Sequence, residues 1–305
     1  MYKKQLGNSD LYISELTLGG MSIGTDKKNA QAIIEYALDQ GINHLDTADL
    51  YDFGENEEII GGAIKNKRND IVLTTKVGNH FDKKKKSWFW DPSKEYILKA
   101  VKNSLQRLQT DHIDFYMLHG GTIEDRIDET IEAFEQLKKE GLIRAYGISS
   151  IRPNVIREYV NHSSIDGVML QYNLLDRRPE EEILDLLQQH HISVLARGPL
   201  AKGMMTEQAK QQIEHKGKDG YLDYSYNELI ETAQKLEKLK ATHSLNELAF
   251  KYIFKHPAVT SAVFGASSID QVKENINYYS GQEMSDKLYQ EIQSVTKPIT
   301  YQMHR

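Results

Sequence analysis

The 305-residue chain has no cysteine at all. That excludes disulfides, thiolate catalysis and cysteine-based zinc or iron–sulfur sites, and it fits a reducing cytosol. Its eleven histidines never fall into an H-x-H or H-E-x-x-H spacing, which argues against a metal-dependent barrel hydrolase and for no metal site. The N-terminal stretch "MYKKQLGNSDLYIS" has no apolar signal core, and no apolar run approaches a membrane span. The expectation is therefore a cytoplasmic protein without a membrane partner. A formal net charge of -6, with both signs interspersed, disfavours broad nucleic-acid binding. There is no Pro/Gly/Ser-rich linker and no internal repeat, so residues 1–305 read as one domain. The G-x-G-x-x-G turn of a doubly wound dinucleotide fold is also missing, "LGGMSIG" having the wrong spacing.

What is present is an alternation. Short β-branched runs at 16–18, 43–46, 71–76, 113–119, 145–149, 167–171, 193–196 and 261–264 read as eight strands. Helical patterns separate them. Ile97, Val101, Leu105 and Leu108 keep helical spacing after a Ser93 N-cap, and Asn56 reads as a second cap, with Glu57 and Glu58 in the first turn. A hairpin with a Gly-Asn turn precedes the first strand. The pattern predicts an α/β protein, a (β/α)₈ TIM barrel with an N-terminal β-hairpin and extra C-terminal helices. The polar stretch 204–223 is expected to form a loop over the barrel mouth, followed by helices at 224–241 and 246–255.

Chemistry in such barrels sits at the C-terminal ends of the strands. Asp46 and Tyr51 follow the second strand, Lys76 ends the third, and His119 ends the fourth. Alternation puts Val72, Thr74 and Lys76 on one face, and Phe115, Met117 and His119 on one face of the next strand. Alone, each residue is most often structural: a solvated lysine, a hydrogen-bonded histidine, a capping aspartate, a packed tyrosine. Together, on three consecutive strands, they form a proton relay. A free phenol has a pKa of about 10. An ammonium about 4 Å away, at an effective dielectric of about 20, interacts by roughly 4 kcal/mol. Before desolvation, that is worth up to about 3 pKa units. Asp46 would orient Lys76, His119 would hold a substrate oxygen, and Tyr51 would protonate it. With no nucleophile in the set, the chemistry suits carbonyl reduction with hydride from a cofactor.

The motifs "DTADLY", "TTKVG", "DFYMLHGG", "YGISS", "LQYNLLDR", "GPLAKGMM" and "FGASSIDQVKEN" follow in the order of the aldo-keto reductases, and the chain resembles that family over essentially its whole length. The family's catalytic tetrad falls on Asp46, Tyr51, Lys76 and His119. The resemblance implies NADPH/NADP+ as cofactor, with NADH possible, and a small-molecule carbonyl substrate with no obligate protein partner. It implies cofactor contacts at Gly20, Met21, Asp46, Ser149 and Gln171, in the loop carrying Arg197, Gly198, Leu200 and Gly203, and at Gly265, Ser267, Gln271 and Asn275. It implies a substrate pocket walled by Tyr51, His119, Trp88 and Trp90, the tryptophans belonging to the lysine- and aromatic-rich stretch "FDKKKKSWFWDPS". Three positions depart from the family pattern. Ser150 stands where many members have asparagine, Arg197 where many have an aromatic on the nicotinamide, and Gln271 where many have an arginine on the 2′-phosphate. Lys273, Ser267 and Ser268 are the candidates to offset the last of these. Gly120 and Gly121 imply a pocket open beside His119. An alternative implied by the same fold is a cofactor-binding regulatory partner with little turnover.

Overall fold

The computed structural model describes residues 1–240, 243–277 and 283–305. Its strands, in chain order, are β1 (Lys3–Gln5), β2 (Tyr12–Ser14), β3 (Leu16–Gly19), β4 (His44–Asp46), β5 (Val72–Val77) and β6 (Asn79–Asp82). They continue with β7 (Ser87–Trp90), β8 (Ile113–Leu118), β9 (Ile143–Ser149), β10 (Gly167–Gln171), β11 (Ser193–Arg197) and β12 (Val259–Gly265). Eight of them close a parallel barrel in the order β10-β11-β12-β3-β4-β5-β8-β9. All eight predicted strands are present, with ends shifted by a residue or two. They are buried on both faces, as a covered parallel sheet requires.

Helices α1 (Lys27–Asp39), α2 (Glu55–Ile64), α3 (Lys94–Leu108), α4 (Ile127–Lys139), α5 (Pro153–His162) and α6 (Ile183–Gln189) surround the barrel. They are followed by α7 (Ala209–Lys216), α8 (Tyr226–Leu239), α9 (Leu245–Phe254), α10 (Ile269–Ile276) and α11 (Asp286–Val295). Among the described residues no helix is long and apolar enough to cross a membrane. Ser93 caps α3 as predicted, its hydroxyl accepting from the Tyr96 amide.

The antiparallel hairpin β1–β2 plugs the N-terminal end of the barrel. Leu6, Leu11 and Ile13 pack in one buried cluster with Phe115, Met117 and Leu195 from the barrel interior. The fit is tight at Gly7, where a Cβ would lie 2.2 Å from the Asp166 carbonyl oxygen and φ is +55°. Only glycine satisfies both conditions. Above this apolar plug lies a polar layer. Thr17 Oγ1 is 2.6 Å from His44 Nδ1 and from Ser261 Oγ, and His44 Nε2 is 2.6 Å from Thr74 Oγ1. Burial, then the charge of Lys76, lowers the His44 pKa to about 3, so its ring is neutral.

Three local expectations change. Asn56 does not cap α2. Gly54 is the cap, and the buried Asn56 amide instead accepts from Thr47 Oγ1 and donates to the Gly20 carbonyl. Glu57 is buried as well, bonded to Thr75 Oγ1 and Arg107 Nε rather than left to the helix dipole. The stretch 204–223 holds the helix α7 besides its loop, and the helix expected at 224–241 is α8, its last predicted residue lying outside the described residues. Finally, β6 and β7 pair as a hairpin within the lysine- and aromatic-rich stretch, where the sequence pattern placed no strand.

Candidate active site

Asp46 ends β4, and the ladder to β5 continues past it. Thr47 N donates to Thr74 O, and Asp49 N donates to Lys76 O. This zipper fixes the loop that carries Tyr51. Positive φ values at Asp52, Phe53 and Gly54 then turn the chain sharply into α2. Lys76 points from β5 into the barrel mouth, 1% exposed, beside Asp46 at 3%. Its ammonium lies 2.7 Å from Asp46 Oδ1 and donates to Asp46 Oδ2 (2.8 Å), Thr47 O (2.7 Å) and Tyr51 Oη (3.4 Å).

His119 follows β8, its amide bonded to Val77 O, and its ring meets the Tyr51 ring edge-on at 5.8 Å. The four residues predicted from the strand ends converge.

Electrostatics orders the cluster. Burial pulls the Lys76 ammonium down, but the Asp46 carboxylate and then the Tyr51 phenol outweigh it and hold Lys76 above its usual range. For Asp46 burial outweighs Lys76 and then Arg197 and raises the carboxyl pKa, while contacts of 2.7 and 2.8 Å join it to the ammonium. Burial, then Lys76 and Arg197, lowers the His119 pKa to about 3. Its ring is neutral and keeps one N–H to donate.

Two cavities open from this point. The first, about 630 Å³, holds Tyr51, His119, Met21, Ser149, Arg197, Trp88 and Trp90. Trp90 donates its Nε1–H to Asp125, whereas Trp88 is 55% exposed on the hairpin. Gly120 and Gly121 both line this cavity beside His119. A Cβ on Gly78 or Gly120 would meet the Trp90 ring, at 2.7 and 3.3 Å, so these two glycines make room for the indole. The second cavity, about 490 Å³, holds Ser22, Gly198, Leu200, Gly203, Gly265, Ser267, Ser268, Gln271 and Asn275. Met21 and Ser22, and likewise Arg197 and Gly198, are chain neighbours lining different cavities, so the two form one elongated mouth. Gly20 is buried under it, where a Cβ would meet Asn56 Oδ1 at 2.6 Å.

Arg197 lies at the end that holds Tyr51 and His119. Its Nη1 donates to Gln171 Oε1, while Gln171 Nε2 donates to Asp176 and to Tyr221 Oη. Gln271 is exposed and folds back over the start of its own helix, its Oε1 accepting from the Ser267 amide and hydroxyl. Lys273 pairs with Asp270 and does not line the second cavity. Lys202 and Lys216 do line it, and the sequence reading missed both. It missed Tyr221 too, which the inserted segment brings to Gln171. Lys202 sits inside the quoted "GPLAKGMM", but Lys216 and Tyr221 carry no local signal.

The model of the Aldo/keto reductase family matches residues 15–297. An uncharacterized oxidoreductase of Bacillus subtilis, YqkF, is 54% identical over 306 residues, covering 100% of both chains. The NADH-specific methylglyoxal reductase of Escherichia coli is 31% identical over 302 residues, covering 90% of this chain and 93% of its own. Among solved structures, the aldo-keto reductase AKR11C1 from Bacillus halodurans in its holo form superimposes with a TM-score of 0.95 at 52% identity, covering 100% of this chain and 99% of that one.

Proposed function

Because this chain belongs to the aldo/keto reductase family, we propose that it reduces aldehydes and ketones to alcohols with NADPH, using Tyr51 as the acid. The observation that carries the reading is the geometry of Lys76, which bridges the Asp46 carboxylate at 2.7 Å and the Tyr51 hydroxyl at 3.4 Å at the floor of an open cavity. A bound nicotinamide supplies the hydride. The rest of the chemistry belongs to the chain. His119 donates its N–H to the carbonyl oxygen and orients it. Tyr51 donates a proton to that oxygen as charge develops, and the Lys76 ammonium stabilises the phenolate left behind, to be reprotonated from solvent. Asp46 keeps Lys76 charged and aimed. The balance is one carbonyl, one reduced cofactor and one proton giving one alcohol and one oxidised cofactor.

The residues present fit a dinucleotide. The second cavity has glycine backbone at Gly198, where a Cβ would meet nothing within 4 Å, and two lysines, Lys202 and Lys216, that pair with no carboxylate within 4.0 Å among the described residues. Small residues beside cations suit phosphate oxygens. Ser149, Gln171 and Arg197 would hold the nicotinamide end; Gly198, Leu200, Gly203, Gly265, Ser267, Gln271 and Asn275 would hold the rest.

Two predictions follow from this assignment. NADPH is preferred over NADH, but narrowly, because Gln271 is uncharged and Asp270 and Glu274 share the cavity with the two lysines. Fluorescence titration with both cofactors checks it; equal or tighter NADH binding contradicts it. Arg197→Ala weakens NADPH binding by about 1–3 kcal/mol through loss of a charge-assisted contact, with the circular dichroism spectrum retained. Unchanged affinity at low ionic strength would remove Arg197 from the cofactor site. The reading as a whole is tested by NADPH oxidation over a panel of aldehydes and ketones. Tight cofactor binding without turnover on any of them contradicts it.

A further inference from the structure

The first cavity has an unusual charge pattern. Every arginine in the chain except Arg152 and Arg197 lies within 4.0 Å of an aspartate or glutamate oxygen among the described residues. Both exceptions line this cavity, and no aspartate or glutamate does. Two acids stand behind its wall: Asp125 accepts from Trp90 Nε1 and from the amide and hydroxyl of Thr122, and Asp46 is paired with Lys76. A protein of net charge -6 thus keeps two arginines without a direct carboxylate partner at one place. Arg197 still feels the charge of Asp46, whereas Arg152 shows no such coupling to an acid among the described residues.

Their placements differ. Arg197 is tied to Gln171, at the end where the proposed cofactor reading needs a cation. Arg152 lines only the first cavity, so the phosphate-bearing end of a dinucleotide does not explain it. Its backbone amide donates to Ser150 Oγ, and its Nη1 donates to the Gly121 carbonyl at 2.5 Å. A guanidinium has five N–H donors in a planar fork, so this single carbonyl contact aims it without using it up. Gly121 lies two residues beyond His119, within roughly 7 Å of extended backbone. The cation therefore sits a short molecule's length from the position where the carbonyl oxygen would be held.

We infer that Arg152 is the anion anchor of the substrate pocket, and that the preferred substrates are short aldehydes or ketones carrying a carboxylate or phosphate a few bonds from the carbonyl. The inference rests on the reductase reading above and narrows its substrate class. Planar bidentate contacts from arginine to either anion are short and strong. A neutral aldehyde leaves the cation unmatched.

The test uses matched pairs with the full chain and NADPH: succinic semialdehyde against butanal for the carboxylate, and glyceraldehyde 3-phosphate against glyceraldehyde for the phosphate. The wild type is expected to favour the charged member of at least one pair by about tenfold or more in kcat/KM, the scale of one charged hydrogen bond. Whichever pair shows the preference identifies the anion. Arg152→Met is expected to abolish that preference, chiefly through KM for the charged member. Arg152→Lys, which keeps the charge without the fork, is expected to retain part of it. Ratios near one in both pairs for the wild type overturn the inference while leaving the reductase reading intact, and so does a preference that survives in Arg152→Met. Absence of turnover with all four compounds overturns both.

Discussion

Tyr51→Phe is expected to lower kcat for aldehyde reduction by about 10²–10⁴-fold, the usual worth of a positioned proton donor. Cofactor affinity should stay where it was. The substitution removes one oxygen and little else. The ring keeps its edge contact with His119 and its place 5.0 Å from the Lys76 ammonium. Hydride can still reach the carbonyl carbon, but water must then supply the proton without the help of Lys76. Stopped-flow reduction at saturating substrate separates this from a binding defect. A variant that turns over at near-normal rate would remove Tyr51 from the mechanism.

Lys76→Met is expected to damage both rate and stability. The rate falls by orders of magnitude because the developing phenolate loses its only close cation in the cluster. The stability loss comes from Asp46, left buried with no counter-charge; breaking a buried pair in this way costs about 3–5 kcal/mol. The pH dependence has a definite sign. In the wild type burial already raises the Asp46 pKa against the opposing pull of Lys76 and Arg197. With Lys76 gone, its charge and hydrogen bond no longer oppose burial, and the folded pKa rises further above the unfolded value. The folded variant then tolerates the acid form and is penalised for the carboxylate. Its deficit against the wild type is therefore largest at neutral pH and shrinks as pH falls through the carboxylate range. Thermal melts of both proteins at several pH values measure this. Asp46→Asn placed on Lys76→Met should recover stability without activity. A deficit independent of pH would show that lost packing, not the orphaned charge, is responsible.

The cluster of Asp46, Tyr51, Lys76 and His119 was legible because strand alternation is a strict two-residue rule. Once Val72 and Phe115 face inward, Lys76 and His119 must follow at the same face of their strands. The barrel was legible for a related reason, since strands covered on both faces leave uninterrupted apolar runs. Asn56 was misread because a polar residue before an apolar run looks the same whether its amide caps a helix or reaches Gly20 across the barrel rim. The β6–β7 hairpin was hidden in four lysines, whose turn is solvated although its flanks pair. The packing of Trp90 had no local signal: Gly78 and Gly120 leave the space in which the indole lies. Arg152 was passed over because nothing local distinguishes it. Only the completed pattern of ion pairs reveals that it has no carboxylate.

The central claim is that this chain transfers hydride to a carbonyl carbon through a Tyr51-centred proton relay. It is tested most directly with NADPH deuterated at the nicotinamide ring carbon that gives up hydride, mixed in excess with the protein and an aldehyde turned over by the wild type. Mass spectrometry of the product should find one deuterium on the carbinol carbon, formed by the wild type and strongly suppressed in Tyr51→Phe. Cofactor that stays bound and fully deuterated, with the aldehyde unchanged across the panel, would contradict the account and mark the protein as a cofactor-binding partner.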